Sequence, residues 1–240
     1  MSLLVETDPI HSSGDPSLRA LYELRDGEVL SDQPPFAVVD RTNPFDWPNP
    51  AGRLTRLGQA ASHLVIPSGT LADEPGAPDP RNWLGPGRRR LDEWLDEVSP
   101  AIERDDLRIC IEPDCRGILS DTQSTLNFLR ERTDDRMALA LHPARLLESS
   151  MLGEVEDHLI RIFDTLADRA VIVYLSGIVT GQDESAPVRP IELGSGSLDA
   201  GTILEIAREH APATTRFALI EFNPGSIDRQ YSLIHEYDLA

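Results

Sequence analysis

Apolar and polar positions along this chain follow two alternating rhythms. Short runs of Val, Ile, Leu and Ala recur at residues 3–6, 36–39, 62–67, 107–112, 137–142, 171–176, 191–193 and 217–221. They read as buried strands. Between most of them the apolar residues move to helical spacing. Leu18, Leu21, Tyr22 and Leu24 do so first, with Asp15-Pro16 as a start signal and Gly27 as a stop. A short helix is expected over 53–60. Leu91, Trp94, Leu95 and Val98 then form one helix face that Pro100 ends, with a further short turn after it. Asp121 or Thr122 can cap the next helix, which carries Leu126 and Leu129. A longer helix follows Leu152, Val155, Leu159, Ile162, Phe163 and Leu166. Leu198, Ile203, Leu204 and Ile206 belong to another, and residues 227–237 supply a closing helix.

Eight strands with helices between most of them, at intervals of about 30 residues, are the rhythm of repeated βα units. A doubly wound sheet uses the same local pattern. The strand count, the length of 240 residues and the unbroken rhythm favour a (β/α)8 TIM barrel with a short or irregular N-terminal third, residues 1–240 forming one domain. The stretch 68–87, dense in proline and glycine, is either an active-site loop or a surface excursion.

Charge changes the picture of partners. The formal net charge is -19, a surface that repels phosphate backbones and anionic lipid, so nucleic acid and membranes are poor partners. All 22 basic residues are arginine, as codon bias in a high-GC genome produces. Without lysine, Schiff-base chemistry and a lysine general base are excluded. Cys110 and Cys115, five positions apart, match no zinc pattern and read as one core thiol and one loop thiol. No run approaches 18 apolar residues and 1–6 is too short for a signal peptide, so a cytoplasmic protein is expected.

Two strand-like runs end on a carboxylate, Glu112 and Glu221. The C-terminal ends of barrel strands are where such folds build their sites. Four fragments occur in a familiar order: Ile109-Cys110-Ile111-Glu112-Pro113, Leu141-His142-Pro143-Ala144-Arg145-Leu146, Gly194-Ser195-Gly196-Ser197-Leu198-Asp199 and Ala218-Leu219-Ile220-Glu221-Phe222. In this order the chain resembles the xylose-isomerase-like TIM-barrel superfamily, which includes sugar-phosphate isomerases and epimerases and endonuclease-type barrels. The resemblance covers Leu91 to Phe222 best. It implies a divalent metal (Mn, Zn or Mg) held at the barrel mouth by glutamates at the positions of Glu112 and Glu221, which match. The aspartate and histidine expected after the fifth strand read His142 and Arg145, and the histidine expected after the sixth falls on Tyr174-Leu175-Ser176-Gly177.

That resemblance implies an isomerase or epimerase of a small sugar or sugar phosphate. Glu112 and Glu221 would move a proton next to a carbonyl, with a metal on Glu112, His142 and Glu221. The substrate would be oriented by Arg145, Tyr174 and the Gly194-Ser195-Gly196 turn, a place where barrels often bind phosphate. The alternative is a non-catalytic or repurposed barrel that binds a polyol-like ligand or a protein partner. In that case the glutamates are strand-end carboxylates paired with arginines, and Arg145 fills the role of the lost cation. Self-association fits either reading, and nothing in the sequence locates an interface. Cleavage of DNA is the weakest reading, because it needs a basic groove.

Overall fold

The computed structural model describes the chain apart from residues 1, 8–17, 26, 75, 133, 182, 184–185, 224, 238 and 240. In chain order the elements are β1 (Ser2–Thr7), β2 (Leu18–Arg25), β3 (Glu28–Val29), β4 (Ala37–Asp40), α1 (Pro50–Gly58), β5 (His63–Pro67), α2 (Gly85–Arg104), β6 (Arg108–Glu112), α3 (Thr122–Glu131), β7 (Met137–Leu141), α4 (Val155–Leu166), β8 (Ala170–Tyr174), β9 (Gly177–Val179), β10 (Arg189–Ile191), α5 (Ala200–His210), β11 (Arg216–Ile220) and α6 (Ser226–Glu236). Hydrogen bonds join β1, β11, β8, β7, β6, β5, β4 and β2 in that order, and β2 pairs back onto β1. The expected eight-stranded α/β barrel is therefore closed. Its one departure from an all-parallel wall is β2, antiparallel to both neighbours.

Three expectations come out differently. The apolar set from Leu18 to Leu24 is strand β2, not a helix. Both faces of β2 are partly buried: Leu18 and Leu24 lie in the outer core and Leu21 in the inner one. A strand buried on two sides loses the simple alternation and mimics helical spacing. The proposed start signal, Asp15-Pro16, lies outside the described residues. The expected seventh strand at 191–193 is not in the barrel wall either. β8 pairs directly with β11, which leaves no place between them, and Arg189–Ile191 pairs instead with β9 in a separate hairpin. Pro100 does not end α2, which continues to Arg104; Ala101 and Ile102 are buried and hold the last turn down.

Alternation along the strands sorts the side chains into two cores. Leu4, Leu21, Ala37, Val39, Val65, Cys110, Ala138, Ala140, Ile172, Tyr174 and Ala218 fill the barrel. Their neighbours, among them Leu64, Ile109, Leu139, Val173 and Phe217, face the helices. Small residues inside make room for Tyr174, which is fully buried. Trp94 of α2 is also fully buried and meets Trp47 edge-on at 5.9 Å. Asp121 caps α3 as expected, its carboxylate accepting from the Ser124 amide at 2.7 Å. Both cysteines are free and buried, and burial pushes both thiols up to about 12. Among the described residues no helix is long and apolar enough to cross a membrane.

Candidate functional site

The period of two that fills the barrel also furnishes its mouth. Two residues beyond inward-facing Leu4, Val39, Cys110 and Ala140 come Glu6, Arg41, Glu112 and His142. Four polar side chains thus converge at the C-terminal ends of the parallel strands, above Tyr174. Glu6, Glu112, His142 and Tyr174 are each at most 3% exposed.

Arg41 joins them. Its Nη2 donates to Glu6 Oε2 at 2.8 Å, and its Nη1 donates to Glu6 Oε1. On the other side Nε donates to Glu112 Oε2 at 3.0 Å and Nη2 to Glu112 Oε1 at 3.2 Å. The same guanidinium lies over the Tyr174 ring, 5.5 Å from its centre. Its neighbours in the chain are held in place. Asp40, buried and facing outward, accepts from the Thr42 amide at 3.0 Å and from Arg53 Nε at 2.7 Å. Thr42 in turn accepts from the Trp47 indole at 2.8 Å.

Arg145, from the turn after β7, approaches Glu112 Oε2 at 3.5 Å and binds Asp114 at 3.2 Å. Burial alone would push the Glu112 carboxyl up. The charges of Arg145 and Arg41 outweigh it and hold the carboxyl well below the usual carboxylate range. His142 stacks on Tyr174 with ring centres 4.9 Å apart, and its Nε2 lies 3.1 Å from Ser176 Oγ. Its Nδ1 is buried, without a hydrogen-bond partner, and 3.6 Å from Glu112 Oε1. Burial lowers the basicity of this imidazole, with the Glu112 carboxylate pulling the other way. The Tyr174 hydroxyl also lacks a partner, and burial, then the nearby Glu6 charge, raise its pKa well above that of a free phenol.

The Glu112 shift has a sign that can be measured. The unfolded chain takes up a proton near pH 4.3 and the folded one only well below that, so folding is weakened as pH falls. The contribution is complete above about pH 5 and declines through more acid solution. Urea midpoints of wild type and Glu112→Gln, followed from pH 7 to pH 3, are expected to converge at the acid end; a constant gap would contradict this assignment.

Glu112, His142, Arg145 and Tyr174 are brought together. Glu221 is not brought into their cluster. It follows β11 on the parity of outward-facing Phe217 and Leu219, half-buried, its amide donating to the Glu6 carbonyl at 3.0 Å. Glu6 stands opposite Glu112 in its stead. The Gly194-Ser195-Gly196 turn packs against β9: Gly194 and Gly196 have φ of +85° and +84°, and Ser197 donates to the Ile178 carbonyl at 2.8 Å. The reading from sequence missed Glu6 and Arg41. Counting inward positions two beyond Leu4 and Val39 would have found both.

A cavity of about 710 Å³ opens over Arg41, Glu112 and Arg145. Ser68, Gly69, Thr70, Asp73 and Gly76 of the proline- and glycine-rich stretch form part of its wall, so that stretch borders the site. A divalent metal does not fit the residues as they stand. Both oxygens of Glu112 are taken by Arg41, Glu221 is elsewhere, and among the described residues no group of three His, Cys, Asp or Glu side chains could hold an ion.

No family model matches the sequence, and no curated protein matches it. Solved structures do resemble the fold. A D-tagatose 3-epimerase-like protein is 13% identical with a TM-score of 0.58, the match covering 83% of this chain and 76% of that one. 3-Keto-D-glucoside 4-epimerase from E. coli is 14% identical with a TM-score of 0.58, covering 87% and 80%. A xylose isomerase-like TIM barrel protein from Mycobacterium smegmatis, solved in complex with magnesium, is 13% identical with a TM-score of 0.50, covering 80% and 67%. At these identities the likeness is one of fold, a closed eight-stranded α/β barrel.

Proposed function

We propose that this barrel binds a small polyol-like molecule in its mouth cavity and does not turn it over. One observation carries the reading: Arg41 clamps Glu6 and Glu112 together. A carboxylate that two guanidiniums hold ionised far below neutral pH is a weak general base, because proton abstraction favours a base whose pKa lies near the working pH. The metal-assisted isomerase or epimerase, with Mn, Zn or Mg polarising the sugar oxygens, needs a ligand set that these side chains do not assemble.

Support for a small-molecule ligand is independent of that argument. The cavity volume falls in the range of small-molecule sites. Its wall combines hydroxyl, amide and guanidinium groups, from Thr42, Asn43, Ser68, Thr70 and Arg145, with the carboxylates of Asp73 and Asp114. Of proteins with the same fold, one is named 3-keto-D-glucoside 4-epimerase and another D-tagatose 3-epimerase-like.

Calorimetric titration with a panel of aldoses, ketoses, inositols and their phosphates tests binding. Proton NMR in D2O, watching exchange next to the carbonyl, tests turnover. Saturable binding weakened by Arg145→Ala, without exchange, is the expected result. Exchange by the wild type that Glu112→Gln abolishes would establish the isomerase reading and overturn this one.

A further inference from the structure

Glu6 and Glu112 come from β1 and β6, which stand four places apart in a ring of eight. They reach the barrel mouth from opposite sides and meet the Arg41 guanidinium between them. An ordinary structural ion pair sets one cation against one carboxylate at the rim. Here one guanidinium contacts both oxygens of two carboxylates that are 2–3% exposed. Two anions so buried and so close need a cation between them, since their mutual repulsion in a poorly solvated site is large. The third side chain that faces them, His142, carries a buried ring nitrogen with no hydrogen-bond partner, while its other nitrogen is held by Ser176. Two carboxylates and an imidazole braced from behind are donor types of a divalent-metal site, though spread around the guanidinium they do not close on one point. The only element of the set that does not belong to such a site is the guanidinium in its centre.

We infer that Arg41 is a built-in replacement for a metal ion: its guanidinium fills a cation site formed by Glu6, Glu112 and His142, makes the protein independent of divalent metal, and leaves donors that can close on an ion when it is removed. The site differs from the one implied by resemblance, since Glu6 supplies the second carboxylate. A guanidinium is broader than an ion, so both glutamates must turn inward to hold a metal, a rotamer change their length allows. The inference shares the Arg41 clamp with the proposed function but not the cavity's ligand: a folded Arg41→Ala that takes up no metal would overturn it and leave the ligand role standing, whereas a stoichiometric ion on the wild type would count against both.

Arg41→Ala removes the cation, and Arg41→Lys keeps one. Full-length wild type and both variants are incubated with Zn²⁺ or Mn²⁺, desalted and analysed for metal per chain, and their thermal unfolding is recorded with metal and with chelator. Wild type and Arg41→Lys should carry no stoichiometric metal, and chelator should not move their unfolding. Arg41→Ala should take up about one ion per chain and unfold at higher temperature with metal than without. Adding Glu6→Gln or His142→Ala to it should reduce uptake at least about tenfold. One ion per wild-type chain that Glu112→Gln removes would overturn the inference. So would a folded Arg41→Ala that takes up none. If Arg41→Ala fails to fold even with metal while Arg41→Lys folds, an ion cannot take the place of the guanidinium, and the inference also falls.

Discussion

Replacing Arg41 with methionine in metal-free buffer should lower the unfolding free energy by about 3–5 kcal/mol, the scale of a buried charge network left without its counter-ion. The methionine keeps most of the volume, so the loss reports charge and hydrogen bonding. Glu6 and Glu112 stay behind, each buried, each short of the donors Arg41 provided. The origin of the loss can be separated from packing. Adding Glu6→Gln to Arg41→Met removes one of the stranded charges and should recover about 1–2 kcal/mol, whereas Glu6→Gln alone in the wild type should destabilise. Urea unfolding of the four proteins completes the cycle. Additive effects would mean that Arg41 acts by packing alone.

The second large effect is expected at Gly196, for a geometric reason. Its φ of +84° lies in the region L-residues avoid, and a Cβ there would sit 2.0 Å from the Ile178 carbonyl oxygen. The turn must move away from β9 or the strand must yield. Gly196→Ala should cost about 2–4 kcal/mol, from the left-handed backbone and the overpacked contact together. Gly225 is the control: its φ is +81°, but a Cβ there would meet nothing within 4 Å. Gly225→Ala should cost only about 1–2 kcal/mol. If Gly196→Ala instead unfolded like the wild type and lost ligand binding, the turn would be a ligand site and not a packing device.

Much of the architecture was legible because most parallel barrel strands read as short apolar runs between amphipathic helices. Glu112, His142, Arg145 and Tyr174, which the structure brings together, were singled out for the same reason, each standing at or just past the end of such a run. β2 was misread because its neighbours bury both of its faces, and Leu18, Leu21 and Leu24 then satisfy either period. Residues 191–193 were misread because a short apolar triplet looks the same in a barrel wall and in a side hairpin. Glu221 shows how strict the parity is. A residue at the end of an inward strand lies in the mouth only if it falls on the inward phase, and Ile220 holds that phase on β11. Arg41 was missed because it follows the strand beyond Asp40; its inward parity with Val39 marks its place in the mouth, but the role of its cation shows only once two distant carboxylates are seen to meet it.

The reversed direction of β2 bears on how the chain reaches this structure. β1 lies between a strand close by in sequence, β2, and the last strand of the barrel, β11, which the chain supplies only near its end. The antiparallel β1–β2 pair joins strands close in sequence and can form early, whereas the β1–β11 seam joins strands more than 200 residues apart. Until β11 docks, β1 and β8 present open edges to other chains. If refolding is slow and its yield falls with concentration, this seam is the expected cause, and any truncation that removes β11 leaves a sheet with two adhesive margins in place of a ring.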